Sequence, residues 1–222
     1  FADPAAPRTV VVVPGLSMDA EVLAKVVGGR HYEERQLAML MLLRLPNTRI
    51  VYVSSTRLEP CIVDYHLGLL PGVDHGEARR RLTLFSAGDA SPESLTQKIL
   101  DRPRLLGRIR AAIGDPTLAH LTCFNVTPSE RTLAVRLGIP LYGCDPALME
   151  LGGKSGSRRA FRAAGVALPE GSEDLRDAHD LVEALAALKG RHPDLERAVV
   201  KLNHGFSGEG NAVFSFAGCP EC

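Results

Sequence analysis

Near its C-terminus the sequence runs AVVKLNHGFSGEGNAVFSF, an apolar strand ending in Lys201, a glycine-rich turn of seven residues, and a second apolar strand. A hairpin that only reverses direction uses about two to five residues, typically built on Asn-Gly or Asp-Gly. The longer turn here carries glycines at 205, 208 and 210, directly beside a strand-borne cation. Without a Cβ, successive glycine N–H groups can converge on an anion as a backbone nest. A lysine aimed at the same space adds the compact charge that suits phosphate. Lys201, Gly205, Gly208 and Gly210 therefore read as a flap over the phosphates of a nucleotide.

Other chemistry-bearing residues give weaker signals. Arg158 and Arg159 stand on an arginine-rich helix and read as a solvated or interface face. Glu209 and Asn211 could touch nucleotide or metal, or could serve the turn itself. Pro14-Gly15-Leu16-Ser17 follows the first strand, where ligand loops of parallel sheets lie, but lacks the G-x-G-x-x-G dinucleotide fingerprint. A tight turn and a substrate-facing loop both remain open there. The seven histidines show no metal-ligand spacing, although His204 begins the glycine-rich turn. Cys219-Pro-Glu-Cys222 has the spacing of half a zinc site, with no second pair to complete it.

These residues sit in a chain of 222 residues, 45% hydrophobic and 23% charged, with 26 basic and 26 acidic side chains. That balance fits one or two globular domains and argues against a dedicated nucleic-acid binder. No apolar run reaches the roughly 18 to 20 residues of a membrane helix, and no secretory signal opens the chain. Five scattered cysteines, an odd number, predict a reducing, cytoplasmic setting rather than a disulfide framework. The start at Phe1 and the lead-in FADPAAPR predict a piece of something longer.

The elements that must position the site follow from periodicity. TVVVVP (9–14) reads as a strand buried on both faces, and RIVYVSS (49–55), RLTLFSA (81–87) and LAHLTCFNV (118–126) as further strands. Helices are predicted over about 30–45, with Leu37, Leu40, Met41 and Leu45 inward, and over about 60–70. Another covers 94–113 with a break at Pro103, and a short one covers 129–138, closed by Gly138. Such alternation predicts an α/β fold with an open, mostly parallel sheet. From Gly152 the pattern changes to GGKSGSRRAFRAAGVALPEG, then a helix over 177–190 ended by Gly190, then the strand–loop–strand. A boundary near 150 separates residues 1–150 from 151–222.

GGKSGSRRAFRAAGVALP, followed about 30 residues later by AVVKLNHGFSGEGNAV, resembles the N-terminal half of an ATP-grasp domain. In that family one lysine precedes the helix that ends in an AGV-x-x-P step, and a second stands on a strand just before a mobile glycine-rich loop. Lys154 and Lys201 match those positions, and Gly205, Phe206, Ser207, Gly208, Glu209 and Gly210 match the loop. The resemblance covers residues about 150–216. The preceding block is similar in architecture to the Rossmann-like pre-ATP-grasp domain of the peptide-ligase-like members.

The resemblance implies an ATP-dependent carboxylate–amine ligase using ATP and Mg²⁺. A carboxylate would be phosphorylated, and an amine would then attack the acyl phosphate to form an amide or peptide bond. Its implied partners are small-molecule carboxylates and amines, with no nucleic acid, no membrane, and a homo-oligomer left open. In the family the Mg²⁺ ligands stand later in the domain. After Lys201 this sequence offers only Glu209 and Glu221 as acids, so no metal site and no catalytic residue is assigned, and an inactive N-terminal fragment is expected. The alternatives are a non-catalytic nucleotide-binding module and an NAD(P)-dependent enzyme of doubly wound fold.

Overall fold

Six consecutive buried residues, Arg8–Val13, form β1 at the centre of a five-stranded sheet. The computed structural model describes residues 3–17, 31–204 and 210–218. Strands β2 (Thr48–Ser54), β3 (Leu82–Ser86), β4 (Ala119–Cys123) and β5 (Leu141–Tyr142) pair in the order β3-β2-β1-β4-β5, all parallel. Val11 lies opposite Val51 on one side and Leu121 on the other. A strand flanked on both edges and covered on both faces must be apolar throughout, which is why β1 carries four valines in succession. This is the α/β, parallel-sheet architecture expected of the Rossmann-like class. The direction of strand order reverses between β1 and β4.

Helices cover both faces. On one lie α1 (Tyr32–Arg35), the 3₁₀ helix Gln36–Arg44 that continues it, α2 (Pro60–Gly68) and α3 (His75–Arg80). Val10, Val12, Ile50 and Tyr52 meet Leu37, Leu40, Leu43, Val63 and Leu67 there. Burying each such aliphatic side chain stabilises the fold by about 1.5–3 kcal/mol. The segment predicted as one α-helix over 30–45 is mainly 3₁₀. Its buried leucines, at 37, 40 and 43, recur every three residues, the repeat of a 3₁₀ helix, and Met41 is 58% exposed. The short helix α3 lies outside the helices predicted from the sequence; Asp74 caps it by accepting from the Glu77 N–H at 2.8 Å.

On the opposite face lie α4 (Leu95–Leu100), α5 (Pro103–Ile113) and α6 (Pro128–Leu137), with Ile99, Ile109 and Leu133 against Val11, Val53 and Leu121. The break at Pro103 is present, and Ser94 caps α4 through the Gln97 N–H at 3.2 Å. A Thr127–Glu130 capping box starts α6, and left-handed Gly138 (φ 73°) ends it. Cys123 is half-buried, and the water this excludes raises its thiol pKa and keeps it protonated. No helix among the described residues is long and apolar enough to cross a membrane.

The chain divides into two compact units, Phe1–Pro146 and Ala147–Cys222. The second contains α7 (Met149–Gly152), α8 (Lys154–Ala163), α9 (Ala178–Arg191) and an antiparallel pair, β6 (Arg197–Lys201) and β7 (Asn211–Ser215). Asp177 caps α9 through the Asp180 N–H at 2.9 Å. Gly190 lies inside this helix instead of ending it. Lys189 and Arg191 occupy its last turn on either side of the glycine, and Lys189 Nζ donates to the Leu195 carbonyl beyond it at 3.0 Å.

Candidate functional site

The β6–β7 ladder carries the first candidate lysine. Lys201 ends β6 opposite Asn211, and Val199 lies opposite Val213 two pairs further in. Burial alternates along β6, so Arg197, Val199 and Lys201 share the open face and Ala198 and Val200 the half-buried one. Val199 and Val213 remain 56% and 67% exposed there. The face thus offers two apolar side chains beside a cation.

The ladder continues one step past Lys201, with the Leu202 N–H donating to the Gly210 carbonyl at 2.8 Å. Gly210 has φ 74°, and a Cβ there would stand 2.8–3.1 Å from Leu202 side-chain carbons. Both facts call for glycine at the downstream root of the loop. Gly205, Phe206, Ser207, Gly208 and Glu209 lie outside the described residues.

The second candidate, Lys154, opens α8 and is half-buried. The N-cap of α8 is Gly153, which has no side chain to satisfy the first-turn amides. Asn203, two residues beyond Lys201, supplies the acceptors instead. Its Oδ1 accepts from the Ser155 N–H at 2.9 Å, and its backbone carbonyl accepts from the Lys154 N–H at 3.3 Å. The structure therefore brings the start of α8 against the segment leaving β6, joining the elements that carry the two lysines. Those two amides are already engaged, so a polyanion at Lys154 would meet the side-chain ammonium. Among the described residues neither lysine forms an ion pair.

Close packing fixes the start of α8 from below. A Cβ on Gly156 would lie 1.8 Å from the Glu150 carbonyl oxygen, so the α7–α8 crossing requires glycine. Ser155 is buried and its Oγ accepts from the Asp174 N–H at 3.2 Å. Arg158 and Arg162 pair with Glu173 at 2.5 and 2.7 Å, and Arg159, 46% exposed, pairs with Asp174 at 2.5 Å. Burial works against ionising Glu173, but hydrogen bonds from the two guanidiniums outweigh it and hold its pKa low. Glu170 pairs with His192 and Arg191, which likewise lower its pKa. The connection between α8 and α9 is thus tied by charge to both helices.

In the first unit, the Pro14–Ser17 segment is stapled across the strand-order reversal. Ser17 N–H donates to Asn125 Oδ1 at 3.0 Å, Asn125 Nδ2 returns a bond to the Ser17 carbonyl at 2.6 Å, and Ser17 Oγ donates to Glu130 at 2.5 Å. A Cβ on Gly15 would lie 2.5 Å from Leu95 Cβ. These contacts pin Pro14–Ser17 as an irregular segment. Beside it lies a buried polar cluster that the sequence did not signal. Glu33 accepts from the Ser55 N–H at 2.6 Å and the Ser55 hydroxyl at 2.7 Å. Lys98, 2% exposed, donates to Ser55 Oγ at 3.1 Å and to the carbonyls of Asp89 and Ser91 at 3.0 and 2.8 Å. Lys98 is fully partnered within the fold, which explains how an ammonium can be buried there.

No group of three or more His, Cys, Asp or Glu side chains that could hold a metal ion occurs among the described residues. These residues do not fit a Mg²⁺ site.

Lys201 thus ends a strand and Lys154 opens a helix, the two elements on which the ATP-grasp resemblance expects them, and Asn203 joins those elements. Residues 146–219 match the family described as IQCH-like, ATP-grasp, which supports an ATP-grasp superfamily assignment for this segment. The chain is 31% identical over 200 residues to L-propargylglycine–L-glutamate ligase of Streptantibioticus cattleyicolor, covering 88% of this chain and 42% of that protein. It is 30% identical over 223 residues to IQ motif-containing protein H of Danio rerio, covering 93% of this chain and 21% of that protein. The chain thus spans less than half the length of either relative.

Proposed function

We propose that this chain supplies one wall of the nucleotide site of an ATP-dependent carboxylate–amine ligase. The observation that carries the reading is the joining of Lys154 and Lys201 through one short segment, within a stretch of the ATP-grasp superfamily. Two lysines on different elements can neutralise part of a triphosphate, and the Val199–Val213 face offers an apolar surface for a base. The loop from Gly205 to Gly210 would close over the phosphates and keep water from the reaction.

In this reading a carboxylate oxygen attacks the γ-phosphorus and ADP leaves. An amine nitrogen then attacks the acyl carbon, and phosphate leaves as the C–N bond forms. The relative that joins L-propargylglycine to L-glutamate points to amino acids as the small-molecule carboxylate and amine. Mg²⁺ would assist the phosphoryl transfer through ligands other than those described here. A cytoplasmic enzyme, free of nucleic acid and membrane and capable of homo-oligomerising, completes the proposal.

Isothermal titration of ATP–Mg²⁺ into the full-length gene product tests the nucleotide site. Lys201→Ala and Lys154→Ala should each weaken binding about tenfold, the effect of losing one charge-assisted contact, with melting temperature nearly unchanged. Wild-type affinity in both variants would remove the reading. Ligase chemistry is tested separately by trapping an acyl phosphate with hydroxylamine. ATP binding without any carboxylate-dependent ADP release would favour a non-catalytic nucleotide-binding module, a reading kept because the similarity to IQ motif-containing protein H is nearly as high.

A further inference from the structure

We propose that Asn203 is a positioning residue that sets the register between the two nucleotide-facing lysines. The inference rests on the ATP reading above and adds a residue to it. Helix α8 has a glycine N-cap with no side-chain capping bond, so its first-turn amides need an acceptor from elsewhere. Asn203 provides two at once, Oδ1 to the Ser155 N–H and the backbone carbonyl to the Lys154 N–H.

The side chain is itself oriented, with Nδ2 at 3.1 Å from His204 Nε2. Space is arranged for it too: a Cβ on Gly153 would stand 3.0 Å from Asn203 Oδ1 and 3.1 Å from His204 Cε1. Asn203 follows Lys201 by two residues, and the Leu202–Gly210 bond between them continues the ladder. Any shift of the β6 exit therefore moves the start of α8 with it. Asn203 acts as an N-cap supplied in trans, and through it the Lys154 ammonium is held in a fixed relation to Lys201 and the loop root. Nothing in this arrangement requires Asn203 to touch a nucleotide.

The test combines amide hydrogen exchange with ATP titration in the full-length gene product. Asn203→Ala should speed exchange at Ser155 and Lys154 about tenfold and weaken ATP binding about tenfold, the scale of one lost capping bond. Asn203→Asp keeps an oxygen acceptor and should restore the Ser155 protection. Gly153→Ala, which crowds Asn203 from the other side, should reproduce the Asn203→Ala exchange change and serves where that variant does not fold. In the double variant Lys154→Ala/Asn203→Ala, binding should fall no further than in the weaker single variant, because Asn203 acts through Lys154. Unchanged exchange in both Asn203→Ala and Gly153→Ala, or affinity losses that multiply in the double variant, would overturn the proposal. A wild type that binds no ATP would overturn the nucleotide reading instead, leaving the exchange data to decide whether Asn203 couples the two elements.

Discussion

Glu33 is a carboxyl whose chemistry is set by its surroundings. Burial raises its pKa above the usual 4.5, outweighing the hydrogen bonds from Ser55 and the nearby Lys98 ammonium, which act in the opposite direction. A group that binds its proton more tightly in the fold than in the unfolded chain stabilises the fold most below the unfolded pKa. That contribution is lost as pH rises through the folded value. Wild type should therefore lose stability relative to Glu33→Gln as pH rises from about 4.5, read from urea unfolding midpoints at several pH values. Parallel curves would show that Glu33 titrates as it does in the unfolded chain. Asp89 behaves in the opposite sense. The Ser91 backbone N–H, with help from Arg102, lowers its pKa to about 2, so its contribution is present above 3.8 and fades on acidification toward that lower value.

At the scale of elements, the start of α8 depends on two small residues for two reasons. Gly153 leaves room for Asn203, and Gly156 lets α7 approach within a distance that no Cβ tolerates. Gly156→Ala should cost about 1–3 kcal/mol, the scale of overpacking in a tight contact, despite alanine's better helix propensity. Chemical denaturation checks this, and a neutral or stabilising result would mean that α7 moves aside freely. The Gly-Lys-Ser-Gly spelling of this segment resembles a loop for anions, yet one of its glycines serves helix packing. Sequence cannot separate the two uses, because glycine signals only that a Cβ is unwelcome.

Across the whole molecule, buried apolar side chains are unevenly shared. Both hydrophobic clusters lie in the first unit, and in the second the buried residues among those described are Gly153, Ser155 and Gly156. The second unit is held chiefly by capping bonds, the β6–β7 ladder and charge pairs such as Arg158–Glu173, and it leaves Phe161, Val166, Val199, Leu202 and Val213 exposed. Exchange-protected amides should therefore concentrate in β1, β2 and β4, while the second unit exchanges faster. Adding ATP should slow exchange around 153–156 and 199–203 and leave the sheet of the first unit unchanged. Equal protection in both units before ligand is added would contradict this distribution.

Much of this was legible in the residues. A run of valines can satisfy only a strand covered on both faces, so β1 and its parallel neighbours followed from composition and alternation. The resemblance over Lys154, Lys201 and the glycine-rich loop led directly to the superfamily. Period and length misled where local rules compete: the leucines of 37–43 repeat at three, and Gly190 stands within a helix that runs on to Arg191. What only the tertiary structure decided are the partnerships between residues far apart in the chain. Asn203 meets Ser155, Lys98 meets Ser55, Arg158 meets Glu173, and Ser17 meets Asn125. Local sequence encodes the preferences of a residue's own turn or strand. A hydrogen bond spanning fifteen to more than a hundred residues depends on where the sheet and helices deliver its two ends, and no periodicity records that.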